Sequence, residues 1–149
     1  PEVYLKLVGV LDESGMEPVQ NRIEKLPFMD WRQLPAVIAG LDINLMPLEN
    51  SLFHWCKSEN KWTEAALVKV PSVMSRNCEM EYVVENGKDG WMCTTKEEWV
   101  NALEALVTDE KARKAMGEAA HQKVMEHYLT VNTGKDAMEE LLCSESYTK

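Results

Sequence analysis

The stretch KSENKWTE at residues 57–64 carries Lys57, Ser58, Lys61 and Glu64 at and just past the start of a predicted helix. A helix N-terminus leaves backbone amides unpaired and holds the positive end of the helix dipole, so it attracts an anion such as a diphosphate, and nearby lysines add point charge. Glu64 lies three residues beyond Lys61, which puts both on one side of the helix. A carboxylate there can accept from two vicinal hydroxyls of a ribose, so one short segment has the parts to hold a nucleoside diphosphate. The same spacing equally suits a plain surface ion pair worth roughly a few tenths of a kcal/mol. Spacing alone does not choose, and neither G-x-G-x-x-G nor G-x-x-x-x-G-K-[ST] occurs.

Other reactive side chains form no catalytic pattern. Cys56, Cys78, Cys93 and Cys143 include no C-x-x-C pair and no partnering His at ligand spacing, which favours inert, reduced thiols in a cytosolic protein over zinc or disulfides. His54 lies in the same connection as the lysines but has no evident orienting carboxylate or nucleophile. His121 and His127 fall in a late amphipathic helix and read as structural. The aromatic faces of Trp55, Trp62 and Trp91 suit stacking on a sugar or base, although large aromatics in a chain this size usually pack. Glu97-Glu98 and Glu139-Glu140 read as solvated helix faces. No catalytic residue and no metal site is assigned.

The elements that must position these residues alternate. Residues 3–11 (VYLKLVGVL) read as a strand covered on both faces, followed by a loop through Gly15, and residues 22–28 read as a second strand. Trp31, Leu34, Val37, Ile38 and Leu41 make a helical stripe behind Asp30 as N-cap. DINLMP (42–47) reads as a buried strand, residues 58–68 as a helix burying Trp62, Ala65 and Ala66, and residues 71–75 as another strand. A short helix at 81–85, a turn at 86–90 and a strand at 91–93 follow. Thr95 and Glu98 make a capping box ahead of Trp99, Leu103 and Leu106. Asp109 opens a helix burying Ala112, Met116, Ala119, Ala120 and Val124, and a last helix at 135–142 buries Met138, Leu141 and Leu142.

Such alternation predicts an α/β fold, a Rossmann-like doubly wound parallel sheet. The expected organisation is one domain over 1–149: strands and helices alternating through 1–93, helices over 94–143, and a frayed tail at 144–149. Ligands of such sheets bind at the carboxyl ends of the strands, which singles out the loops after Leu11, Phe28, Pro47, Ser75 and Cys93.

With 149 residues the chain is long enough to bury roughly 68–70% of its unfolded surface. Its 25 acids against 16 bases, a formal charge of −9, argue against nucleic acid or an anionic membrane as a direct partner. Apolar runs are broken by charge well before the ~20 residues that span a bilayer. The chain starts at Pro1 with no signal-type segment, as expected of a processed or excised piece.

In order, PEVYLKLVG, then LPAVIAGLDINLMPLENSLFHWCKSENKWTEAALVKVPSVMS, then VVENGKDGWMC with EEWVNALEALVTDEKARKAMGEAA, resemble the C-terminal domain of GT-B glycosyltransferases. The likeness runs from Pro1 to Tyr128 and is to bacterial retaining transferases of family 4 and its relatives. That family has two glutamates with seven residues between them. The second matches Glu64, which the resemblance makes the ribose ligand, whereas Cys56 holds the place of the first and Lys57 and Glu59 replace the usual glycines. Some relatives carry K-S-x-x-K-x-x-E, as Lys57, Ser58, Lys61 and Glu64 do, and there Lys61 becomes the natural diphosphate ligand. The base would run along the loop holding Pro27, Phe28 and Met29.

The resemblance thus implies the donor-binding half of a carbohydrate-biosynthetic glycosyltransferase, using a nucleotide-diphosphate sugar, with retention and without a tightly held metal or other cofactor. It implies an amino-terminal acceptor domain in the same protein, through which any membrane association would occur, and a central strand of the sheet preceding Pro1. An isolated 149-residue chain is then expected to be inactive. The rival reading is a non-catalytic α/β interaction or regulatory module with a degenerate donor site, for which Cys56 is the main argument. A receiver-like flavodoxin fold fails for want of paired acids after an early strand and a lysine after a late one in this sequence.

Overall fold

Residues 2–10 and 16–144 are described by a computed structural model of the chain. Two parallel sheets carry the strands. In the first, β1 (Leu5–Val8) pairs with β2 (Ile23–Leu26), Leu5 opposite Ile23. In the second, β3 (Asn44–Met46), β4 (Ser72–Ser75) and β5 (Trp91–Cys93) lie in that order, Asn44 opposite Ser72 and Val73 opposite Trp91.

The parallel α/β architecture follows the alternation, but the expected single sheet is divided between β1 and β3. All four residues of β1 are half-buried rather than covered on both faces, and the strand is shorter than residues 3–11. A strand with one partner and an open second edge lacks the neighbours that would cover it. The loop after Leu11 lies outside the described residues.

The helices follow local capping signals. α1 (Leu34–Ala39) has Pro35 in its first turn, which suits a proline but starts the helix later than the stripe suggests. Trp31 therefore sits in a preceding 3-10 turn, capped by Asp30 as expected but 71% exposed. α2 (Leu52–Trp55), capped by Ser51, and α3 (Asn60–Leu67) connect β3 to β4. α4 (Cys78–Val83) starts earlier than expected because Asn77 Oδ1 accepts from Met80 N. α5 (Lys96–Thr108) carries the expected capping box, and α6 (Glu110–His127) is capped by Asp109. α7 spans Thr130–Ser144. Met138 is exposed in it, contrary to expectation, as is Ala112 in α6. The side chains of Leu141 and Leu142 and the tail at 145–149 lie outside the described residues.

The core sits around the second sheet. Trp62 is wholly buried among Met46, Met74, Met80 and Val124, and its indole N–H donates to the carbonyl of Asp89 at 2.9 Å. Val73, Cys93, Leu106 and Met116 fill the space under α5 and α6, and Ile38, Ala65 and Val70 join α1 to α3.

Candidate functional site

The connection between β3 and β4 leaves the first of these strands past Met46 and returns to the second through α2 and α3. The connection is fixed at its start by Ser75, the last residue of β4. Its Oγ accepts from Leu48 N at 2.8 Å and donates to Leu48 O at 3.1 Å. Further on, Asn44 Nδ2 donates to Ser72 Oγ at 3.0 Å and to Lys61 O at 3.4 Å, tying α3 to the first residues of β3 and β4. Trp62, Ala65 and Ala66 anchor the inner face of α3.

Lys61 and Glu64 occupy its outer side, both exposed and one turn apart. Among the described residues neither has an ion-pair partner, so the surface pair that their spacing allowed does not form. The first-turn amides of α3 lack intrahelical acceptors, and the N-cap residue Glu59 gives no side-chain cap. Lys57 and Ser58 are exposed in the segment leading into the helix, with the Lys57 ammonium 4.3 Å from the centre of the Phe53 ring. These four predicted residues come together on one connection. Met29 does not join them there: it is half-buried in the connection after β2, in the other sheet, beside exposed Phe28.

The remaining aromatic and ionisable candidates sort by position. Trp62 is core, and Trp91 opens β5, at the end opposite to the strand's carboxyl end. Trp55 is half exposed and donates to Asn50 Oδ1 at 2.9 Å. His121 Nδ1 lies 3.0 Å from Ala66 O and braces α6 against α3. Burial raises the Cys93 thiol above its ordinary value, which keeps it protonated and unreactive.

Two arrangements escaped the sequence reading. Ser51 Oγ lies 2.8 Å from His54 Nδ1, which the S-x-x-H spacing inside a capped turn would have revealed. Past the end of β4, Arg76 pairs with Glu81 at 3.0 Å, and the buried Asn77 Nδ2 has no hydrogen-bond partner among the described residues.

Comparison with known proteins adds the following. A family model described as glycosyl transferases group 1 matches residues 2–109. No curated protein matches. Among solved structures, the chain is similar to the C-terminal domain of a glycosyl transferase group 1 family protein (LpcC) from Francisella tularensis, at 18% identity and TM-score 0.58, covering 76% of this chain and 57% of that one. It is similar to Anabaena Alr3699/HepE in complex with UDP and glucose, at 18% identity and TM-score 0.75, covering 96% and 41%. It is also similar to a sucrose-phosphate synthase from Thermosynechococcus elongatus, at 14% identity and TM-score 0.68, covering 95% and 39%. At these identities the likeness shows the fold. The match spans 57% or less of the length of each of these proteins.

Proposed function

The chain belongs to the glycosyl transferases group 1 family, and from that membership we propose that it is the donor-binding part of a glycosyltransferase moving a sugar from a nucleoside diphosphate to an acceptor hydroxyl. The observation that carries the reading is the unpaired state of Lys61 and Glu64, a cation and an anion one turn apart at an uncapped helix start. Lys61 and the first-turn amides of α3 take the diphosphate, Ser58 and Lys57 add contacts on its approach, and Glu64 accepts from the ribose hydroxyls. Met29 edges the base.

Catalysis in this reading is electrostatic. As the bond between the anomeric carbon and the diphosphate oxygen breaks, its electron pair leaves with the diphosphate, whose growing charge Lys61 and the helix start stabilise. The acceptor oxygen bonds to the anomeric carbon on the face the diphosphate leaves, giving retention, and the acceptor's proton goes to the diphosphate. No resident metal takes part. HepE has been solved with UDP and with UDP-glucose, and a donor of that type is the first choice here. The reading also includes an acceptor-binding domain elsewhere in the protein, and one further parallel strand between the open edges of β1 and β3.

The test is a nucleotide-sugar panel screened by thermal shift against the complete protein. A true donor at 100 times its Kd stabilises by about 2.7 kcal/mol. The exposed Cys56, standing where the family has a glutamate, favours a second reading, a non-catalytic module that kept the fold. Silence across the whole panel would select it.

A further inference from the structure

We propose that Asn86 is a latent modification site, closed by the native turn and opened by unfolding, at which the side-chain amide is lost as ammonia through a cyclic imide with Gly87. The inference is independent of the donor-site reading.

The chemistry starts from the sequence. Of the asparagines in the chain, only Asn86 is followed by glycine. Glycine carries no side chain, so nothing beside its nitrogen obstructs an approach to the preceding side chain. That nitrogen attacks Asn86 Cγ: a nitrogen–carbon bond forms as the bond from Cγ to Nδ2 breaks, and Nδ2 leaves as ammonia with the proton given up by Gly87 N. Water then opens the five-membered imide at either of its two carbonyls, which leaves a carboxylate and an aspartyl or isoaspartyl link to Gly87. Asparagine counts among the thermolabile residues.

The folded turn holds both reacting groups elsewhere. Gly87 N donates to Gly90 O at 2.8 Å, with Gly87 in the left-handed region at a φ of 84°. Asn86 Oδ1 accepts from Met92 N at 2.7 Å, which ties the side-chain amide to β5. Two further bonds close the turn around them: Lys88 N donates to Glu85 O at 2.9 Å, and Glu85 N to Asp89 Oδ1 at 2.8 Å. Asn86, Gly87 and Lys88 are nonetheless exposed, so water reaches the pair once the turn opens. Ring closure requires the bonds from Gly87 N to Gly90 and from Asn86 to Met92 to break first, and its rate therefore follows the population of the open turn.

The product does not close the turn again. An isoaspartyl link inserts a methylene into the main chain between positions 86 and 87 and converts the former main-chain carbonyl into a free carboxylate. Gly87 N and Met92 N then lose the spacing at which they meet their acceptors, and buried Met92 loses its clamp. Unfolding thereby becomes partly irreversible.

The test is incubation of the complete protein, folded and in urea, at one pH and temperature, followed by peptide mass spectrometry that separates asparagine from aspartyl and isoaspartyl at position 86. Conversion in urea should be at least about tenfold faster than in the folded protein, as a turn that is open for a tenth of the time or less requires. It should be faster at Asn86 than at any other asparagine. Gly87→Ala should slow it in urea, where folding plays no part, because the added methyl crowds the nitrogen. After refolding, the isoaspartyl fraction should melt below the unconverted one. Equal rates in the two states, a Gly87→Ala rate in urea no lower than that of the unsubstituted chain, or an isoaspartyl fraction with an unchanged melting temperature would overturn the inference.

Discussion

A Cβ placed on Gly117 would lie 2.1 Å from the carbonyl oxygen of Lys69, so α6 meets the end of α3 at a distance only a hydrogen atom permits. Lys69 is itself special: its φ of 63° puts it in the left-handed region. Lys69 N donates to Ala66 O at 3.0 Å and Val70 N to Ala65 O at 2.9 Å, closing α3 with a Schellman motif. Neither backbone can yield without opening that cap. Gly117→Ala should therefore cost about 2–4 kcal/mol, read as a lower midpoint in urea, while Glu118→Ala, which removes only an exposed ion pair to Lys69, should change it by less than about 1 kcal/mol.

Asp89 ties three elements together. Its carboxylate accepts from Glu85 N at 2.8 Å and pairs with Lys123 of α6 at 2.7 Å, while its carbonyl accepts the Trp62 indole. Asp89→Ala removes a buried carboxylate and strips the Glu85 amide of its acceptor, and we expect a loss of about 2–3 kcal/mol, discounted because Lys123 reaches solvent. Lys123→Met should cost clearly less by chemical denaturation.

Glu98 should make stability depend on pH. Hydrogen bonds from Thr94 N and Thr95 N hold its carboxyl below the ordinary range. A lowered carboxyl favours the folded state at every pH above its unfolded value, and that contribution disappears as pH falls through the lowered folded value. Glu98→Gln should thus melt below the unsubstituted protein at pH 7, with the difference shrinking under acid, below about pH 4. A difference independent of pH would mean that the charge plays no part in the cap.

Residues 1–149 alone should transfer no sugar in an assay with labelled donor, because the reading assigns acceptor contacts to another domain. In hydrogen exchange, β1 amides of this piece should be less protected than the same amides in the complete protein, where a further strand would cover their open edge. Measurable transfer, or equal protection, would contradict this.

The parallel architecture was legible because DINLMP and PSVMS are short apolar runs between helical stretches, and the cap at Thr95 because its motif is local. Trp31 misled, since periodicity counts it into the stripe while Pro35 restarts the helix after it. The division of the strands into two sheets was not legible, because strand pairing depends on partners far off in sequence. Within the site, exposure of Lys61 and Glu64 followed from the burial of Trp62, Ala65 and Ala66 on the opposite face. The four-residue α2 has no periodicity to detect, so Ser51 and His54 were not seen as a pair.

The most direct check follows the backbone amides of residues 57–64 by NMR in the complete protein as UDP, GDP and dTDP are added. One of the three should move these signals, Lys61→Ala should abolish the movement, and Glu64→Ala should weaken binding of the matching nucleoside as well. Signals that stay fixed with every nucleotide, or that move as far in Lys61→Ala, would mean that the start of α3 is not where the donor binds.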